Sequence, residues 1–330
     1  LCPAGKTGPT VGACVACEAS KYKGSSGPEE CSDCPDNMDS LENAAYCLCN
    51  AGFTGPNGGP CASCAAGKYK VSSGAGVCVN CEAGKYSWDL VSPSETSCVN
   101  CAAGKYSQTV GATVPQECIN CEEGTYSAVP GSAQCQDCGV GTYSASLGAD
   151  SSAYCLPCVE GTYSSQVGAS SSDTCLACGS GKYSGALGAS SAGTCVDCGA
   201  GKYSDTAGAT SEGTCDTCVA GKYSASEGAD SVSTCLECGK GKYSVVEGAS
   251  AEAACQKCGA GKYSGAVGAS AEDTCVECGA GKYSDAKGAT SSSTCVVCGA
   301  GKYSGASGAV DVSTCAACDE GTYSGTVGAT

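Results

Sequence analysis

Along most of the chain the side chains alternate in short bursts, too brief for a helix and too regular for a loop. In Gly181-Lys182-Tyr183-Ser184 a strand would send Lys182 and Ser184 to one side and Gly181 and Tyr183 to the other. A Gly-Ala turn follows at Gly188-Ala189, then a second short strand at Thr194-Cys195-Val196, so the pattern predicts a two-stranded hairpin. On this reading the outward face carries the ammonium and the hydroxyl. The inward tyrosine ring covers a neighbouring disulfide, and Gly181 leaves room for it. Helix is disfavoured because glycine, hydroxyl and β-branched residues interrupt every 3.6-residue pattern.

The burst returns throughout. From Cys155 through Cys175 and Cys195 to Cys315, the first cysteine of each Cys-x-x-Cys pair recurs every twenty residues. A fixed period of this size marks a repeat architecture whose single unit is too small to fold alone. The second cysteine of one pair and the first of the next enclose 13 residues (Cys64 to Cys78, Cys121 to Cys135) or 16 (Cys81 to Cys98, Cys158 to Cys175). The difference lies after Tyr-Ser, in a loop where length changes cost little. The expected fold is a disulfide-rich small-β repeat with little helix. It forms an elongated, solenoid-like rod of units of about 17–20 residues, each touching only its neighbours.

Three segments are distinguished. Residues 1–34 carry the repeat in worn form, with Thr7 at the tyrosine position and Ser20 at a glycine position. Residues 35–64 form an irregular joint. Its run Cys47-Leu-Cys49-Asn-Ala-Gly52-Phe53-Thr-Gly55 resembles the C-terminal half of an epidermal-growth-factor-like module. Residues 65–330 hold the regular repeats. The chain opens at Leu1 without an initiator methionine and closes inside a repeat, so it is read as an excerpt of a longer array.

Composition removes the usual core. One Phe, one Trp and one Met stand against 50 Gly and 35 Cys. Cysteine at this density points to a disulfide scaffold in an oxidising, extracellular compartment. Reduction would leave little to offset the chain's conformational entropy. A net charge of -16 disfavours nucleic acid and anionic membranes as partners. No apolar run approaches the roughly 20 residues of a membrane span, so no membrane insertion is expected in this segment.

Strict repetition narrows the cysteine pairing. Interlocked pairing of successive doublets, or a Cys₄ zinc site, would consume repeats two at a time and leave a forty-residue super-period. None is evident in the cysteine spacing. Joining the second cysteine of one doublet to the first of the next treats every repeat alike and closes a loop worth about 3 kcal/mol. The rule gives Cys2–Cys14, Cys17–Cys31, Cys34–Cys47, Cys49–Cys61, Cys64–Cys78, Cys81–Cys98, Cys101–Cys118, Cys121–Cys135 and Cys138–Cys155. It continues with Cys158–Cys175, Cys178–Cys195, Cys198–Cys215, Cys218–Cys235, Cys238–Cys255, Cys258–Cys275, Cys278–Cys295 and Cys298–Cys315. Cys318 is left unpaired at the cut end.

The run Cys-x-x-Cys-x-x-Gly-x-Tyr-Ser-x-x-x-Gly-Ala, closed by the next doublet, resembles the ephrin-receptor-like cysteine-rich repeat over roughly residues 61–330. It is similar in layout to the modules of tumour-necrosis-factor receptors. The resemblance implies stalks or binding surfaces, as in long extracellular surface proteins of microbial eukaryotes, and no enzymatic activity. The monotony of the array departs from the few divergent copies of family receptors and favours a building material.

Other chemistry is thin. The chain has no His and no base beside its many serines, so no catalytic group or cofactor is implied. Acidic residues such as Asp150, Glu212 and Asp230 are scattered, without a calcium-loop motif. The lysines at 182, 202, 222, 242, 262, 282 and 302 fall at one place per repeat, and loose pairing with the excess carboxylates accounts for them. Hydroxyl-rich loops make Ser171, Thr174, Ser191, Thr194, Ser211, Thr214, Ser291 and Thr294 candidates for O-glycosylation. The expected function is a structural subunit of an extracellular fibril or surface appendage. Its partners are copies of itself, end to end or lateral, with O-glycans. The alternative is the stalk of a cell-surface receptor or adhesin.

Overall fold

The computed structural model describes residues 1–330. It divides into two compact units, Leu1–Leu156 with Gln166–Thr174, and Pro157–Ser165 with Cys175–Thr330. Both are built of tandem hairpins closed by disulfides. Eleven three-residue 3-10 turns, from Glu95–Ser97 to Val312–Thr314, are the only helical segments.

The repeat at 178–197 represents the second unit. Lys182–Tyr183 pairs antiparallel with Val196–Asp197, placing Lys182 across from Asp197 and Tyr183 across from Val196. The strands stop after two residues because the chain is then claimed by the following repeat. Ser184 N–H donates to the carbonyl of Ala209 at 2.9 Å, and Gly181 N–H to that of Ser204 at 2.7 Å. In return Gly208 N–H donates to Cys178 and Cys198 N–H to Gly181, each at 2.8 Å. Tyr183 and Ala209 thus form a one-residue parallel bridge between repeats. A single twenty-residue unit therefore leaves its own backbone groups unmet, and only an array satisfies them.

Four local expectations are corrected here. Ser184 does not share the exposed side with Lys182; it is buried, because two-residue alternation ends where the inter-repeat bond begins. Its hydroxyl accepts the N–H of Ala186 at 3.3 Å. Ala189 is more than a turn residue, since it too is buried. The core of a repeat is accordingly its cysteines, one alanine and one serine.

Gly181 does not make room for a tyrosine ring. Its φ is +79°, and a Cβ there would lie 2.2 Å from the carbonyl oxygen of Gly228, two repeats along. That contact overturns the fourth expectation, that a repeat touches only its immediate neighbours. Like contacts recur from Gly161 to Gly208, Gly201 to Gly248 and Gly261 to Gly308. The cause is size. With no side chain larger than tyrosine in the repeat, backbones two units apart approach to van der Waals distance.

The first unit opens with a different device, used twice. Cys2–Cys14 and Cys17–Cys31 span 12 and 14 residues, and Cys49–Cys61 and Cys64–Cys78 repeat those separations 47 residues on. In both pairs lysine stands where later repeats have the buried serine. Lys70 is buried, and its ammonium donates to Phe53 O at 2.7 Å and Gly74 O at 2.6 Å. Lys23 does the same with Lys6 O at 3.0 Å and with Gly27 O. The facing repeat supplies Thr7 or Thr54, whose hydroxyl donates to Glu29 O or Gly76 O.

Each ammonium thus ties a shortened loop to the preceding repeat, and burial pushes that of Lys70 below the ordinary lysine range. Lys70→Met keeps the length but strands two carbonyls. It is expected to cost about 2–3 kcal/mol and to speed amide exchange across residues 52–76. Unchanged exchange there would show that the stem alone does the packing.

Candidate functional site

The structure joins the second cysteine of each doublet to the first of the next. The pairs are Cys2–Cys14, Cys17–Cys31, Cys34–Cys47, Cys49–Cys61, Cys64–Cys78, Cys81–Cys98, Cys101–Cys118, Cys121–Cys135 and Cys138–Cys155. They continue through Cys158–Cys175, Cys178–Cys195, Cys198–Cys215, Cys218–Cys235, Cys238–Cys255, Cys258–Cys275, Cys278–Cys295 and Cys298–Cys315. Cys318 is a free, half-buried thiol. The sulfurs a Cys₄ zinc centre would use are covalently paired with each other. What remains for function is the surface, which has two parts in every repeat: a hairpin face and a loop.

On the hairpin face each regular repeat presents a lysine or a threonine, a tyrosine and the two residues inside the doublet. The lysines find carboxylates at either of two positions. Lys182 pairs with Asp197 at 2.6 Å and Lys222 with Glu237 at 3.5 Å, both across the hairpin. Where the cross-strand residue is Thr217 or Lys257, the 3-10 turn supplies the acid instead. Lys202 meets Glu212 and Lys242 meets Glu252, each at 2.6 Å. These hydrogen bonds from lysine hold the Glu212 and Glu252 carboxyls below the usual glutamate range. A depressed acid adds stability above its ordinary pKa and loses it as pH falls through the depressed value, so these links weaken on acidification. They are exposed pairs, weak and salt-screened. Lys282 and Lys302 face Val297 and Ala317 and make no ion pair.

The loops separate the hydroxyls into two kinds. Thr174, Thr194, Thr214 and Thr294 each turn Oγ1 back onto the carbonyl three residues earlier, at 2.7–2.8 Å, closing the 3-10 turn ahead of the cysteine. That bond explains why threonine so often precedes the second-strand cysteine. Ser191, Ser211 and Ser291 are exposed, and Ser171 is half-buried. Ser191 makes no side-chain cap. Ser171 Oγ accepts the N–H of Asp173, and Ser291 Oγ shares a hydrogen bond with Ser293.

Thr194→Val is expected to cost about 1 kcal/mol in thermal or denaturant unfolding, whereas Ser191→Ala should be neutral within measurement. Equal effects would mean that the 3-10 turn does not need its threonine.

The molecule is therefore of a definite class: a disulfide-rich array of small hairpins, whose bridges point to an oxidising, extracellular setting. A family model described as tyrosine-protein kinase ephrin type A/B receptor-like matches residues 112–155. The unit is an ephrin-receptor-like cysteine-rich repeat. No curated protein matches the chain. No helix is long and apolar enough to cross a membrane.

Proposed function

We propose that the chain is a structural subunit of an extracellular fibril or surface appendage. It associates with copies of itself, end to end or side by side, and carries O-glycans on its loops. The observation that supports this most is the sameness of the junctions. From Gly188 N–H to Cys158 O through to Gly328 N–H to Cys298 O, the same bond of 2.7–2.8 Å recurs every twenty residues between successive repeats. Such a chain offers the same junction at every step along these repeats. A load-bearing material uses that property, whereas a receptor face needs copies that differ.

O-glycans are assigned to Ser171, Ser191, Ser211 and Ser291. The threonines at 174, 194, 214 and 294 already spend their hydroxyls on the turn. A receptor or adhesin stalk is the second reading, favoured by the receptor family that the model at 112–155 describes.

The test is electron microscopy of the purified protein over a range of concentrations, beside the native specimen, with intact-mass and site mapping of sugars. Ordered filaments whose subunit spacing follows the repeat support the fibril. Particles that stay single at high concentration support the stalk.

A further inference from the structure

Two hairpins of the array carry opposite charge on the same frame. In the repeat at 238–257, Lys240 precedes the turn glycine and Lys242 faces Lys257 across the strands. Elsewhere the same register sets Lys182 against Asp197 and Lys222 against Glu237. Like charges placed directly opposite weaken a hairpin, so this pair does not serve the fold. Glu252 meets Lys242 at 2.6 Å, which leaves Lys240 and Lys257 without an ion pair. The stem of Lys257 is held in place, its Cδ 3.3 Å from where a Cβ on Gly288 would stand.

The repeat at 121–137 is the opposite case. Glu123 stands at the place of Lys240, Thr125 at that of Lys242, and Asp137 at that of Lys257, facing Thr125. Asp137 packs on Gly168 as Lys257 packs on Gly288, with Oδ1 3.1 Å from the Cβ position. Glu122 adds a third carboxylate, beside a cleft of about 190 Å³ that Tyr106, Gln108 and Gln134 also line. Carboxylate, amide and phenol oxygens all accept hydrogen bonds, which is what an ammonium requires. None of the three carboxylates forms an ion pair, and no lysine stands between Lys105 and Lys182.

We infer that the lysine hairpin at 238–257 docks on the acidic hairpin at 121–137 of a second copy of this chain. The inference rests on the fibril reading and names a contact that would build the fibril. Charge selects the occupant. At a net charge of -16, copies repel one another except where unmatched lysines meet unmatched carboxylates. The two hairpins also hold their charges at equivalent places, ahead of the turn glycine and in the doublet, so the ammonium spacing matches the carboxylate spacing.

The surfaces lie at different places in the chain, so the contact is heterologous. A two-fold contact closes after two copies. This one leaves a free hairpin of each sign on every pair, and further copies can add.

The experiment exchanges the charges and follows the full chain by sedimentation velocity over a range of concentrations. One variant carries Lys240→Glu, Lys242→Thr and Lys257→Asp, and the other Glu123→Lys, Thr125→Lys and Asp137→Lys. Each new residue is one that the same place already holds in another repeat. Intact mass under non-reducing conditions confirms that both keep their disulfides. Each variant alone is expected to need about tenfold or more higher concentration to associate, and an equal mixture to associate as the unaltered protein does. The second variant makes the chain less negative, so general repulsion alone would let it associate more readily, not less. If either variant alone associates as readily as the unaltered protein, or the mixture stays single, these hairpins are not the interface and the fibril reading stands. If the unaltered chain stays single throughout, the fibril reading falls and this contact with it.

Discussion

Gly201→Ala should unfold the middle of the array, whereas Gly199→Ala, two residues away in the same repeat, should be nearly silent. Gly201 has φ +82°, where an L side chain is strained by about 1–2 kcal/mol. The new methyl would also stand 2.1 Å from Gly248 O and 2.6 Å from Gly248 C. Those atoms are backbone, and they belong to a loop held by its own bond from Gly248 N–H to Cys218 O at 2.7 Å. The neighbour has no flexible end to swing aside.

Strain and overlap together are expected to cost about 3–5 kcal/mol, within the range of severe single substitutions. Gly199 has an ordinary backbone and nothing within 4 Å of a Cβ. Limited proteolysis and amide exchange should show Gly201→Ala opening the repeats on both sides of it, because the clash joins units two apart. A loss confined to one repeat would contradict the second-neighbour contact.

The pair of glycines also shows what the sequence makes legible and what it does not. Doublet spacing and the Lys-Tyr burst carried the hairpin, the period and the repeat class, since these depend on contacts within one repeat or on covalent bookkeeping. The roles of Gly201, Ser184 and Ala189 depend on groups in the next two repeats, and a local alternation rule assigns Ser184 to the wrong side. A usable signal was present. From Cys138 onward Gly-x-Tyr-Ser keeps its serine and Gly-Ala its alanine in every repeat, while the residues inside the doublets vary freely. Sameness at small polar or apolar positions in an array marks burial.

The lysine-tied loops were less accessible. Lys23 and Lys70 look like surface lysines until the 47-residue offset sets them over one another. The second-neighbour packing was hidden for another reason: from Cys155 onward the cysteines keep a plain twenty-residue period, and only contacts such as that of Asp197 with Gly228 reach the repeat two along.

Complete reduction, without denaturant, should abolish the fold from end to end. Apart from Lys70, the buried side chains of the regular repeats are cysteine, alanine and serine, with no larger apolar residue among them. Tyrosine is half-exposed in most repeats, and the single Trp88 is 57% exposed, against the ring of Tyr86. Burial of one alanine and two half-cystines recovers little beside the roughly 1–2 kcal/mol per residue lost on ordering a backbone. The seventeen-residue separation of a bridge such as Cys198–Cys215 offsets about 3 kcal/mol by restricting the unfolded chain. That offset recurs in every repeat, so it sets whether the array exists at all.

Two outcomes follow from one cause. Replacing both Cys198 and Cys215 by serine should loosen one repeat and its second neighbours while the rest of the array holds, since each remaining unit keeps its own bridge. Treating the intact protein with excess thiol should instead remove protease resistance and slow amide exchange everywhere, with no thermal transition left to measure. A reduced chain that kept a cooperative transition would mean that the inter-repeat backbone bonds and the small core suffice, and that the cysteines only secure a structure already stable.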